Sequence, residues 1–451
     1  MERSRWFVKI ASIVITLTVG MMVASAETAG PLLAGSVWAG CLALLASTSP
    51  YGLLSLECLY LAFLGLFHLG LVVPAALGLG PPLPEWTGSP HLGRALALFA
   101  VATLCLTLGA VLGRGRGDGA PAVLAPRRSL FRVGLAVAVA GAALLYVGIL
   151  QTRLVSLDYS EHFAQAMTED FRFFGFGLML FPIGLIVAAV AATPRAMFGL
   201  AALFVCVLGP VFWSGFRGPT LVQGAALLAV WVRKDARTAK RLAALGVTAV
   251  FLLAPAIKVT RNANVQLAEA LREAEPLQFL YESGGSLRPL VVTCERIESH
   301  SERPWMGRSY LMAARRLVPN VSSRWVAPNQ RALTPGVWAT MHASFWMYEH
   351  GLGIGFSGVA EPYLNFGVPG VIVFFMLLGW VFSVGDRWLS LGGHRAAIAA
   401  ASFGFVLWSV RNDTIAVPRA MAVATFTVCV AWLLQQRGAR LRPHVAEEVQ
   451  R

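Results

Sequence analysis

The chain has 451 residues, of which 57% are hydrophobic and only 13% charged, with a formal net charge of +14. A soluble globular chain carries about a quarter charged residues, so this composition excludes an ordinary water-soluble domain, and the mean hydropathy of +0.65 agrees. The positive balance does not point to nucleic acid, because Lys and Arg fall between apolar runs, where they set topology and meet anionic lipid.

Apolar runs long enough to cross a bilayer as helices follow one another from end to end. They predict an all-α, polytopic transmembrane bundle of about 12 spans with a long, partly helical extracytoplasmic loop. The spans are expected at roughly 7–24, 32–48, 52–74, 94–113, 133–150, 172–192, 196–213, 219–232, 242–258, 367–385, 395–410 and 418–435. The first run has a basic start and ends on Ala24, Ser25 and Ala26, as a cleavable signal would. Its length and the spans that follow favour an uncleaved anchor.

With Arg3, Arg5 and Lys9 inside, the inside segments also hold Arg114, Arg116, Arg127, Arg128, Arg132, Arg195, the run RKDARTAKR at 233–241, Arg387, Arg395 and the arginine-rich tail. The short outside loops hold few basic residues, so the positive-inside rule places both termini in the cytoplasm. Three regions follow: spans one to nine over 1–258, an extracytoplasmic loop with amphipathic and re-entrant segments over 259–366, and spans ten to twelve with the tail over 367–451. GRGRGDG at 113–119 follows a span in a basic loop and reads as a flexible linker. The six cysteines lie almost all in apolar runs, Cys294 being the exception, and read as packing residues rather than a disulfide framework.

The chemistry-bearing residues outside the cytoplasm gather near the outer face. Glu57 is the acid deep in apolar sequence, and an interhelical structural partner suits it better than a proton relay. Arg217 stands in WSGFRGPT, Arg261 in IKVTRNAN, and Arg411 and Arg419 bracket RNDTIAVPR. A planar guanidinium clamps phosphate oxygens with two parallel bonds; the alternative is that each arginine anchors a helix end at the interface.

In the long loop, QLAEALREAEPLQFLYESGGSL reads as an amphipathic helix ending at Gly284 and Gly285. RPWMGRSYLMAARRLVPNVSSRW then mixes Trp305, Tyr310 and Trp325 with Arg308 and other arginines. Aromatic faces stack on sugar rings and Arg pairs with acidic groups, although a helix lying on the membrane would look similar. His342 and His350 flank ASFWMYE. No third ligand stands at zinc-site spacing, so no metal is expected, and a general base or a structural histidine remains.

Residues 350–370 read HGLGIGFSGVAEPYLNFGVPG, directly before an apolar run. Irregular backbone at membrane depth is tolerated where protein buries it or where it lines a wet cavity. Pro362 starts a helix readily, which leaves Glu361 at its N-terminus. There it either stabilises the helix or orients or deprotonates a sugar hydroxyl, with Tyr363 and Asn365 as hydrogen-bonding neighbours.

The block GIGFSGVAEPYLNFGVPGVIVFFMLLGWVF resembles a segment of the Wzy-type O-antigen and repeat-unit polysaccharide polymerases, and SGFRG, GRSYLMAARRLVPN and RNDTIAVPR agree with it. The resemblance runs from residue 213 onward, the first half matching only as generic membrane helices. It implies a GT-C-like glycosyltransferase at the outer face of the bacterial plasma membrane. Such an enzyme moves a growing glycan from polyprenyl (undecaprenyl) diphosphate onto a lipid-linked repeat unit.

By the same resemblance Arg217, Arg261, Arg411 and Arg419 hold the diphosphate, and Glu361 lies in the family block. The attacking hydroxyl needs a base or an orienting acceptor, for which Glu361, His342 and His350 are, in that order, the candidates. Tyr363, Asn365, Trp305, Arg308 and Tyr310 would meet sugar. No cofactor, metal or nucleic acid is required; membrane lipid is a partner, with room for a flippase and a chain-length regulator. The rival readings are a ligase-like glycosyltransferase and a transporter of the lipid-linked oligosaccharide. A transporter should show inverted repeats and helices interrupted near the midplane, whereas the irregular sequence here lies toward the outer face.

Overall fold

The computed structural model of the chain describes residues 30–80, 82–114, 128–152, 171–263, 269, 271–272, 275, 277–317 and 333–448. The expected first span, most of the linker at 113–119, most of QLAEALREAEP, and Trp325 lie outside the described residues. Most of the described residues are helical, with no strand among them. The chain begins with α1 (Pro31–Thr48), α2 (Leu56–Leu69), α3 (Val72–Ala76) and α4 (Leu92–Gly113). Then come α5 (Arg128–Thr152), α6 (Phe171–Ala191), α7 (Pro194–Trp213), α8 (Arg217–Trp231) and α9 (Ala236–Ala263). Short helices follow: α10 (Gln278–Ser283), α11 (Leu287–Glu298), α12 (Arg308–Arg315), α13 (Pro335–Ala343) and α14 (Phe345–Glu349). The last are α15 (Ala360–Leu391), α16 (Gly393–Trp408) and α17 (Ala416–Glu448).

Among the described residues, 8 helices are long and apolar enough to cross a membrane: α1, α4, α5, α6, α7, α9, α15 and α17. The expected third, eighth and eleventh spans fall on α2, α8 and α16, of 14, 15 and 16 residues. Each is shorter than the roughly 20 residues a hydrocarbon core asks for.

Two compact units divide the chain. The first holds Met1–Gly119, Lys240–Asp386 and Val406–Pro418; the second holds Ala120–Ala239, Arg387–Phe405 and Arg419–Arg451. In the first, α4 is apolar all round and buried along most of its length, as a central helix should be. It packs backbone to backbone on α15, where a Cβ at Gly109 would stand 1.9 Å from the Met376 carbonyl oxygen.

The acid in the first turn of α2 is accounted for here. Glu57 is buried and its Oε1 accepts from Arg114 Nη2 at 2.7 Å. A charge removed from water survives when paired and hydrogen-bonded, so the expected interhelical partner exists. Asp386 accepts the Leu56 N–H at 3.2 Å and closes the same helix end. All six cysteines are free.

In the second unit α5 and α6 run antiparallel at very short range. Gly134, Gly141 and Gly148 recur every seven residues on α5 and face Gly184, Phe181 and Phe174 on α6. Small residues let membrane helices approach until backbones touch. A leucine at Gly141 would begin with a Cβ 2.3 Å from the Phe181 amide nitrogen. We expect Gly141→Leu to cost about 1–3 kcal/mol or more through overpacking and to lower the thermal midpoint in detergent. Gly199→Ala on α7, where nothing lies within 4 Å of the added carbon, should leave that midpoint in place.

Candidate active site

The site lies in the first unit and is built on the start of α15. The glycine-rich stretch before it is not helical from Leu352 to Ser357, and it runs beside the loop that carries Arg411. Phe356 N–H donates to the Arg411 carbonyl at 2.8 Å and Gly358 N–H to Val410 at 3.2 Å. Gly355 makes this approach possible: its φ is +74°, and a Cβ there would sit 2.8 Å from the Arg411 carbonyl oxygen. Ser357 then starts the helix, its hydroxyl accepting from the Val359 and Ala360 amides at 3.2 and 3.3 Å. A serine in this role satisfies donors that the first helical turn leaves open.

Glu361 follows in the first turn and is wholly shut off from solvent, at 0% exposure. Its Oε1 accepts from Ser309 Oγ at 2.7 Å and Thr414 Oγ1 at 2.8 Å, and its Oε2 accepts from the Thr414 amide at 2.8 Å. One carboxylate thus joins α15 to α12 and to the Arg411 loop. Asn365 completes the node, its Nδ2 donating to Ser309 Oγ and to the Glu361 carbonyl, both at 2.8 Å.

The expected tenth span began at 367, and the helix does break there: Gly367 has φ 65° and ψ −154°, so α15 starts seven residues earlier and kinks at that glycine. Pro369 has no N–H, so the Asn365 carbonyl loses its partner four residues on. Met306 N–H supplies a replacement at 3.0 Å, and Trp305 N–H does the same for Leu364 at 2.9 Å. The kink therefore fastens the lead into α12, and Gly307 at φ 85° turns the chain into that helix. α12 buries Ser309 and Ala313 and exposes Leu311.

Asp413, beside Arg411, accepts the Gly336 N–H at 3.4 Å and so holds the first turn of α13. Thr340 of the same helix accepts from Ile354 N–H at 3.2 Å. Burial keeps the Asp413 carboxyl above its ordinary range, opposed by the amides of Gly336 and Ile415.

The sequence-derived residues fall as follows. Trp305 is buried, its ring edge-on to Trp338 at 5.9 Å, with the Arg308 guanidinium 5.3 Å from its centroid. The indole N–H groups of Trp305 and Trp338 donate to the two oxygens of Glu302 at 3.3 and 3.2 Å. Tyr310 is half-buried between Phe366 and Phe374, with rings stacked at 6.2 and 6.3 Å. Tyr363 is buried and its hydroxyl meets Arg94, which is paired with Glu298 at 3.1 Å.

His342 Nδ1–H donates to the Trp338 carbonyl and His350 Nδ1–H to that of Trp346, both at 2.8 Å. A carbonyl only accepts, so in each neutral ring Nε2 keeps the lone pair. Arg411 is exposed with its guanidinium 5.6 Å from the centre of Phe67. Arg217, at the start of α8 after Gly215 (φ 102°), and Arg419, in α17, are half-buried and belong to the second unit. The side chain of Arg261, near the end of α9, lies outside the described residues.

The first unit therefore gathers Glu361, Asn365, Arg411 and the α12 residues around one node. Sequence reasoning missed Ser309, Thr414, Ser357, Asp413 and His68. Ser309 and Thr414 stand inside GRSY and RNDT, which had been singled out for their arginines; His68 is a polar residue in an apolar run, a signal like that of Glu57.

Fold and site together define a polytopic, all-helical membrane protein with a buried carboxylate tied to a basic loop. A family model described as O-antigen polysaccharide polymerase Wzy matches residues 135–438. That is well over half of the chain, and the chain belongs to this family of membrane polysaccharide polymerases. No curated protein and no solved structure matches it.

Two outcomes follow. Ser309→Ala takes one donor from Glu361 and one partner from Asn365, and should cost about 1–3 kcal/mol of stability, as loss of a buried hydrogen bond to a charged or polar group does, read as a lower thermal midpoint. Asp413 binds its proton more tightly folded than unfolded, so its contribution favours the fold at low pH and is lost as pH rises through the folded value. Asp413→Asn keeps an acceptor for Gly336 without the buried charge. Thermal scans across pH should show it at least as stable as the parent at neutral pH, with the difference shrinking as pH falls.

Proposed function

We propose that this chain polymerises a bacterial surface polysaccharide by transferring the growing glycan from polyprenyl diphosphate to a hydroxyl of a polyprenyl-diphosphate-linked repeat unit. The observation that carries this reading is the family match across residues 135–438 together with the Glu361 node, which holds the Arg411 loop through Thr414. In the reaction the bond from the sugar to the diphosphate breaks, a glycosidic bond forms, and the acceptor hydroxyl gives up its proton. Charge develops on the diphosphate, and fixed guanidinium groups stabilise it without reorganising. We assign that work to Arg217, Arg261, Arg411 and Arg419.

Two carboxylate oxygens offer about four lone-pair sites. Three of those on Glu361 are taken by Ser309 and Thr414, which leaves one on Oε2. Glu361 is accordingly the group that orients the acceptor hydroxyl. Nε2 of His342, or of the more exposed His350, takes the proton. Tyr310, Arg308, Trp305, Tyr363 and Asn365 shape the sugar-facing wall. The remaining assignments are twelve spans, both termini in the cytoplasm of a bacterial inner membrane, and the loop over 259–366 on the outer side, where lipid-linked substrates arrive through the bilayer. A flippase supplies the repeat unit and a chain-length regulator sets the product.

Arg217→Ala and Arg411→Ala should each reduce polymer by about 10²–10³-fold, the scale of losing one preorganised donor, while the protein still reaches the membrane. Arg411→Lys should recover only part, because an ammonium lacks the two-pronged geometry. Gel ladders of the surface polysaccharide, alongside membrane content of each variant, measure this. Normal long-chain product from both alanine variants and from Glu361→Gln would sink the site assignment.

A further inference from the structure

We infer that His68 is a positioning residue for Glu361, acting through Ser357; this rests on Glu361 belonging to the active site. His68 lies in α2 and Ser357 just before α15, 289 residues apart, and both are at 0% exposure. His68 Nδ1–H donates to the Leu64 carbonyl at 3.0 Å. In the neutral ring Nε2 is then an acceptor, and it lies 2.7 Å from Ser357 Oγ.

A serine hydroxyl has one proton and two lone pairs. The proton goes to His68, and the lone pairs receive the Val359 and Ala360 amides at 3.2 and 3.3 Å. The Ser357 carbonyl accepts the Glu361 N–H at 3.1 Å. The Ser357 hydroxyl and carbonyl therefore serve either His68 or the turn that carries Glu361. Phe99 lies against the imidazole, with centroids 5.6 Å apart, and holds the ring in place.

A serine and a histidine at 2.7 Å suggest a nucleophile and its base, but the hydroxyl and both ring nitrogens are already fully bonded within the protein. Their effect is exerted through geometry. Removing the acceptor frees the Ser357 hydroxyl to turn, and the first turn of α15 then loses its fixed start. A displacement of about 1 Å at a reacting group can cost on the order of 100-fold in rate.

The test uses the full chain in lipid nanodiscs, with the lipid-linked repeat unit that accumulates in source cells lacking this chain as substrate. His68→Leu and Ser357→Ala should each lower kcat on the order of 10–100-fold with KM little changed. The double variant should be no worse than Ser357→Ala, since that change already removes the bond to His68. His68→Gln, whose amide oxygen can accept the Ser357 proton, should restore most of kcat.

Thermal midpoints are measured in parallel. If His68→Leu does not fold, Ser357→Ala, which removes a single oxygen, decides alone. Wild-type kcat in Ser357→Ala, additive losses in the double variant, or a folded His68→Gln as slow as His68→Leu would each overturn the proposal. Glu361→Gln separates the two levels. Its inactivity beside a fully active Ser357→Ala ends only the positioning role, whereas full activity of Glu361→Gln ends the reading of Glu361 and the coupling with it.

Discussion

A carboxylate closed off from water must find its hydrogen-bond donors in the protein, and Glu361 finds them in two segments more than 50 residues away on either side. Ser309 stands 52 residues before it and Thr414 53 residues after it. An unmet carboxylate in such surroundings would cost several kcal/mol. The three segments are therefore held to one another more firmly than loop sequences of this kind would be alone. Everything else around the site is fastened to one of them: α13 through Asp413, the glycine-rich stretch through Arg411 and Val410, and α12 through the carbonyls that the Gly367 kink and Pro369 leave open.

The parts legible in the sequence were those governed by local rules. Apolar run length located α1, α4 to α7, α9, α15 and α17, because a bilayer core demands length and apolarity from each helix by itself. The runs on α2, α8 and α16 were also visible; α2 is shorter than its run at 52–74, whereas α8 and α16 are about as long as theirs and still below bilayer length. Asp386 and Ser55 close the start of α2, Gly215 precedes α8, and Gly392 and Gly393, both at positive φ, separate α16 from α15. Glycine and proline at 350–370 announced irregular backbone and a helix start, and both are present.

Of the site, Glu361, its neighbour Asn365 and the arginines were legible, whereas the hydroxyl donors and Asp413 were not. Arginine and glutamate at a membrane edge are rare enough to notice, whereas serine and threonine are everywhere. Ser309 and Thr414 bond Glu361 across long sequence separations that no local pattern encodes. The glycines of α5 were hidden for a related reason: seven-residue spacing means close approach only once α6 is known to lie opposite. His68 is the instructive omission, since a lone polar residue in LGLFHLG carried the same warning as Glu57 in its own apolar run.

The two buried polar residues of α2 show how one short helix serves opposite ends of the first unit. Glu57, in its first turn, meets Arg114 and sits beside Ser55 and Asp386; His68, in its last turn, reaches Ser357 and the start of α15. Between them the helix is apolar and nearly all buried. A rigid rod anchored at both ends by directional bonds cannot shift along its axis without breaking one set, whereas apolar packing alone tolerates sliding. α2 is thus suited to fix the height of the Glu361 turn against the rest of its unit, a precision on which the proposed transfer between two lipid-tethered saccharides would draw, because orientation supplies much of the rate such a transfer can gain.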